Sequence, residues 1–239
     1  MRLFYEKLTF SILFLFLLGF SPAYAQNSFG LEFGHNWRSI SGGAFDYDSI
    51  RISTISGGDT GEPFGGIFYE YQIGKRISLH NKLNYGSRFI GYAVYNNFAD
   101  CQFCPVRKIA TVGVGSLAFE ILPQVTILSY SNFKLNIFGG VNSTFNFVKN
   151  EADLYFQNQP GVSSVFNSLD SVVDPITFSF AYGASLEIWR IMLWAKVNPP
   201  ASFTNSIEIN DQEYDFDNSW GFVSFSLGYK FFSLKRRHY

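Results

Sequence analysis

Few residues of this 239-residue chain are of types that make or break bonds. It has three histidines and two cysteines. Ser/His/Asp catalysis requires the three groups within hydrogen-bonding reach. His35 runs into Asn36-Trp37, and His80 sits close after the tight turn Gly74-Lys75-Arg76. Neither is placed beside a nucleophile, and the chain reads as non-enzymatic. Cys101-Gln102-Phe103-Cys104 holds both thiols. A redox-active pair at this spacing opens a helix, and none is evident; two thiols without a nearby His make a weak zinc site. In an exported chain a local disulfide is the first reading. No cofactor and no resident metal is expected.

Carboxylates and amines carry the remaining chemistry. Asp211, Glu213, Asp215 and Asp217 alternate, so an extended backbone puts all four on one face. Such a face could bind Ca²⁺ or bridge cations to lipopolysaccharide, or be a solvated acidic loop; the Gly-centred calcium-loop spacing is missing. Eight further ionisable residues each sit among small or polar residues that alternate with apolar ones: Glu32, Glu70, Lys82, Glu120, Lys134, Glu187, Lys196 and Lys230. Four acids and four bases on one shared face would have to be paired, because an isolated buried charge costs several kcal/mol. Expected partners are Glu70 with Lys82, Glu187 with Lys196, and Glu32 with Lys230, while Glu120 and Lys134 find others. Two readings remain, a static polar plug and an ion gate.

Strands must carry this face. From Val223 to Phe231 the odd positions are apolar or aromatic and the even positions are Ser224, Ser226, Gly228 and Lys230. The same two-residue period predicts seven more strands, near 28–36, 64–73, 77–95, 111–128, 133–146, 177–188 and 191–198. Connections after the second, fourth and sixth strands are short (74–76, 129–132, 189–190). Those after the first, third, fifth and seventh are long (37–63, 96–108, 147–176, 199–219). Short turns alternating with long loops, and an apolar face outward, predict an all-β, eight-stranded antiparallel up-and-down transmembrane β-barrel with both termini periplasmic. Eight strands give an interior just wide enough for side chains to fill it.

The chain ends agree. Arg2 and Lys7 precede an apolar core at 8–20, and Ser21-Pro22-Ala23-Tyr24-Ala25 ends in an Ala-x-Ala pattern. Residues 1–25 read as a cleaved signal peptide, too short to span a bilayer. Residues 26–232 form the barrel domain and 233–239 a basic periplasmic tail. A net charge of −1 gives no reason to expect nucleic acid, and 19% aromatic residues disfavour disorder. Trp37 and Trp220 are expected at the outer membrane interface and Trp189 at the inner one.

Three stretches carry a family resemblance: Phe119-Glu120-Ile121-Leu122-Pro123, Lys134-Leu135-Asn136-Ile137-Phe138-Gly139-Gly140-Val141, and Ser226-Leu227-Gly228-Tyr229-Lys230-Phe231. They resemble the small eight-stranded outer-membrane barrels, similar in layout to OmpX and OmpA, and more narrowly the PorT-type outer membrane β-barrel family. The resemblance implies an outer-membrane location, contact with lipid, lipopolysaccharide and the barrel assembly machinery, and a role as an accessory of a secretion or surface-assembly complex. In such barrels the chain usually stops at the terminal aromatic, whereas here residues 233–239 follow Phe231-Phe232. The alternatives are a stand-alone structural or adhesion barrel, a narrow ion channel, and a lipid-modifying enzyme. The hairpin of the third and fourth strands, about 88–95 and 111–117, outruns the roughly 9–11 residues that cross a bilayer. Its exposed edge is the expected site for a protein partner.

Overall fold

The computed structural model describes residues 27–47, 50–55, 61–96, 106–150, 168–169 and 172–234. The signal peptide, Cys101, Cys104 and residues 235–239 lie outside the described residues; residues 233 and 234, expected to begin the tail, still belong to a strand.

Among the described residues ten strands form one antiparallel sheet that closes on itself. They are β1 (Asn27–Gly42), β2 (Ala44–Tyr47), β3 (Ile50–Thr54), β4 (Glu62–Gln72), β5 (Ile77–Asn96), β6 (Val106–Tyr130), β7 (Phe133–Asn150), β8 (Ile176–Ile188), β9 (Ile191–Ile209) and β10 (Gln212–Leu234). Eight of them, β1 and β4 to β10, make the ring; β1 pairs with both β10 and β4, and β5–β6 completes the circuit. The molecule is an all-β, eight-stranded transmembrane barrel, as the two-residue period predicted.

Three short connections close the end of the barrel that we term inner: 73–76, where the Ile73 and Gly74 N–H groups donate to the Ile77 carbonyl, and two two-residue turns. Tyr130 pairs with Phe133 around Ser131-Asn132, and Ile188 with Ile191 around Trp189-Arg190. Ser131 and Trp189 have φ of 50° and 58°. A positive φ at the first central residue lets a two-residue turn match the strand twist.

β10 shows why the ring is a membrane structure. Along Val223, Phe225, Leu227, Tyr229 and Phe231 its outward side chains are apolar and exposed, while Ser224, Ser226 and Lys230 point in and are buried. Further up the same strand the pattern reverses. Glu213, Asp215 and Asp217 point out, and Phe216 and Trp220 are buried inside. The exposed apolar residues of β10 continue around the ring in Phe33, Leu193, Ile137, Val125 and Leu83. A continuous apolar belt of this extent suits lipid, not water.

The strands do not stop at the belt. β5, β6, β9 and β10 have 20, 25, 19 and 23 residues, about twice what a bilayer needs. Two stretches expected to be loops are therefore strand. Within 37–63, β1 continues to Gly42 and a β2–β3 hairpin follows; within 199–219, β9 and β10 meet at Asn210-Asp211, whose φ of 51° and 61° fit a type I′ turn. β3 pairs with the upper part of β5 (Ile50 with Asn96, Thr54 with Tyr92). The Gly43 N–H donates to the Asp217 carbonyl at 2.9 Å, tying the β2–β3 hairpin to β10. Among the described residues the β8–β9 seam stays open toward its outer end. β8–β9 pairing ends at Tyr182 and Val197, and Pro199 and Pro200, which lack N–H donors, follow on β9.

Candidate functional site

The interior is the candidate site, and it is built in layers. The alternation of each strand aims at least one ionisable residue inward, and all eight expected residues lie inside the ring. Nearest the inner turns, Lys230 Nζ lies 2.5 Å from Glu70 and 2.9 Å from Glu187, and Lys134 reaches Glu187 at 3.5 Å. Ser28 donates to Glu70 at 2.9 Å, and His80 Nε2 is 3.4 Å from its other oxygen.

Above this cluster sits an apolar layer of Phe68, Leu122, Phe138, Ala181, Met192 and Trp194. Phe68 and Trp194 meet edge to face at 5.2 Å, and His80 stacks on Phe68 at 5.9 Å. An eight-stranded barrel has room for such rings only where the opposite wall lacks a side chain. Gly30 lies under the Phe68 ring and Gly228 under the Trp194 ring, and a Cβ at either would overlap them.

The third layer is a second ionic cluster. Lys82 Nζ is 3.0 Å from both Glu32 oxygens and lies 3.8 Å over the Trp194 ring. Lys196 pairs with Glu120, and Ser226 donates to Glu32 at 2.5 Å.

The expected partners are corrected by register. Glu70 stands opposite His80, and Lys82 opposite Phe68, so Glu70 and Lys82 do not meet. Glu187 stands opposite Lys134 and Met192, while Lys196 lies nearer the outer end, opposite Gly183. Lys230 lies nearer the inner end than Glu32, opposite Gly30. The ions pair by height: Lys134 meets Glu187 and His80 meets Glu70 on the neighbouring strand, while Lys196 reaches Glu120 and Lys82 reaches Glu32 across the lumen.

Higher still is a cavity of about 50 Å³, lined by Asn36, Phe64, Asn84, Arg88, Ser116, Asn142, Lys196, Asn198 and Trp220 among others. It touches Ser179 and Ala201, on the two sides of the open β8–β9 seam. Arg38 and Glu62 pair nearby at 2.9 Å. A second core roofs the lumen. Ile40, Phe45, Ile52, Ile90, Tyr92, Val112, Val114, Phe203, Ile207, Phe216 and Trp220 pack there with Leu169, Val172 and Val173 of the β7–β8 connection. Its burial holds the Tyr92 hydroxyl well above the usual tyrosine pKa.

The remaining expected residues fall as follows. Trp37 is exposed on the outward face, edge to face with Phe225 at 5.6 Å. Trp189 is 73% exposed at an inner turn. Trp220 is corrected: it is 4% exposed, stacked on Phe203 at 4.2 Å inside the second core, because it shares the inward parity of Ser224 and Ser226. Asp211 occupies the β9–β10 turn and Glu213, Asp215 and Asp217 line the outward face of β10; among the described residues no three metal-ligating side chains converge. The expected free edge of β5 is corrected too, since β3 covers it. The β2–β3 hairpin and the second core were missed. The second core's signal was present, as Phe203, Ile207, Ile209, Tyr214 and Phe216 already alternate with polar residues; the hairpin's was not.

No family model and no curated protein sequence matches the chain. Solved structures similar to it include three proteins. They are the outer membrane protein OprG from Pseudomonas aeruginosa (12% identity, 87% of this chain and 96% of that chain, TM-score 0.49), the attachment invasion locus protein Ail of Yersinia pestis (11%, 86% and 99%, 0.40) and outer membrane protein W of E. coli (14%, 84% and 98%, 0.36).

Proposed function

We propose that this chain is exported through a cleaved signal peptide, resides in the outer membrane and acts as a non-enzymatic docking barrel. Its surface outside the membrane binds a protein partner of a secretion or surface assembly, the role the PorT-type resemblance implies. One observation carries the reading. The lumen is filled by two ionic clusters and an aromatic layer, while roughly half of the longest strands builds a separate folded body with its own core. Open aqueous pores need about 16 strands, so the static plug is favoured over the ion gate. The docking site is the upper β5–β6 hairpin. β3 covers its β5 side, but among the described residues β6 has no ladder partner beyond Gly113 on the side facing β7. An open strand edge of this kind accepts an added strand.

The protein is extracted from outer membranes in mild detergent and its native mass measured with whatever co-purifies. A species much heavier than one 27.1 kDa chain, lost on placing a proline at Val112, supports docking. A monomer sinks that reading and leaves a stand-alone structural barrel. Steady single-channel current in planar bilayers would contradict the plug.

A further inference from the structure

The cavity between the upper ionic cluster and the second core contains a positive charge in excess of its nearby carboxylates. Arg88 points into it from β5 and stacks on Trp220 at 4.2 Å and Phe222 at 5.0 Å. Every other described ionisable residue aimed into the lumen, from Lys230 up to Arg38, has an opposite charge within 4 Å; Arg88 has none. The neighbouring groups do not cancel it. Glu62 acts on Arg88 as well but is already paired with Arg38 at 2.9 Å, so these three groups keep one positive charge in excess, and Lys82, Lys196, Glu32 and Glu120 sum to zero. The chamber therefore holds one unneutralised positive charge.

A second observation points to the same space. Asn84 lines the cavity, is 5% exposed, and neither its amide nitrogen nor its amide oxygen has a hydrogen-bond partner. A buried amide left unpaired is costly, about 1–3 kcal/mol. Asn36 and Asn142 add amide groups on the facing walls. Stacking on indole satisfies the flat face of a guanidinium but leaves its in-plane N–H donors free.

We propose that this chamber binds one small monovalent inorganic anion of halide or nitrate size, held by the Arg88 guanidinium and the Asn84 side-chain amide. One excess charge calls for one negative charge, and about 50 Å³ excludes larger organic acids. The chamber is closed below by the ionic and aromatic layers, so it is a blind binding site and not a conduit. Entry is through the β8–β9 seam, between Ser179 and Ala201.

Bromide is the probe. The full-length mature barrel is refolded in detergent and its unfolding midpoint measured in sodium bromide and in sodium gluconate, whose anion is too large, at equal ionic strength. Crystals grown in bromide supply the anomalous signal. Wild type should gain a saturable shift of about 2–4 °C in bromide, with one anomalous peak between Arg88 and Asn84. Arg88→Met should lose both and be at least as stable as wild type in gluconate, because its burial leaves no unpaired charge. Equal wild-type midpoints with no peak overturn the proposal, as does a bromide shift that persists undiminished in Arg88→Met. Should Arg88→Met not fold, Asn84→Ala serves in its place. A weaker peak and smaller shift there support the site, and unchanged values refute it.

Discussion

Glu120 and Glu70 are chemically alike and both buried, yet their surroundings differ. Among the described residues Glu120 is the only carboxylate within 4 Å of Lys196, whereas Lys230, the ammonium on Glu70, also holds Glu187. Removing one member of a buried pair strands the other, at a cost of about 3–5 kcal/mol. Glu120→Gln should therefore lower barrel stability by about that much, and Glu70→Gln by clearly less, in denaturant unfolding of the refolded protein. Equal losses would mean that the clusters act as one network. Pairing Glu120→Leu with Lys196→Met should recover most of the loss, since apolar replacement of a whole buried pair is often neutral. Residue identity was legible at this scale. The alternation around Glu32, Lys82 and Lys230 assigned the inward face, but the partners were not legible, because they depend on how each strand is offset from the next.

At the scale of elements, the β2–β3 hairpin covers what would otherwise be an open strand of β5. It also buries Phe45, which meets Phe216 at 4.9 Å, and Ile52. Replacing residues 43–55 by a short Gly/Ser linker should leave the belt-level strands intact. It should expose the second core, increase binding of an apolar dye, and open residues 90–96 and 106–112 to protease. Retained protease resistance would show that the hairpin is a decoration. The strands of the ring were readable from their period, whereas this hairpin was not. Its flanks are rich in Gly and Ser, as at Ser41-Gly42-Gly43 and Ser56-Gly57-Gly58, and they read as loop. The upper β9–β10 hairpin failed for another reason. Its four alternating acids drew the eye to cation chemistry, while the same alternation placed Tyr214 and Phe216 on the opposite face.

For the whole molecule, two interiors of opposite character share one set of strands. Within the belt the inside is ionic and polar around one apolar layer and the outside is apolar; beyond it the inside is apolar and the outside of β10 acidic. A lysine on the belt face should then cost far more than one on the outer extension. Leu227→Lys is expected to destabilise the barrel in lipid vesicles by about 2–4 kcal/mol, and Asp215→Lys by no more than about 0.5 kcal/mol. Comparable effects at the two sites would contradict the placement of the belt.

The reversal along β10 works as a depth gauge. Sliding the barrel outward by one pair of residues would lift Val223 into water, and sliding it inward would drag Asp217 toward hydrocarbon. Both errors are penalised, in opposite directions, on the same strand. The bilayer edge is thus written between Asp217 and Val223, and the molecule can ride neither high nor low.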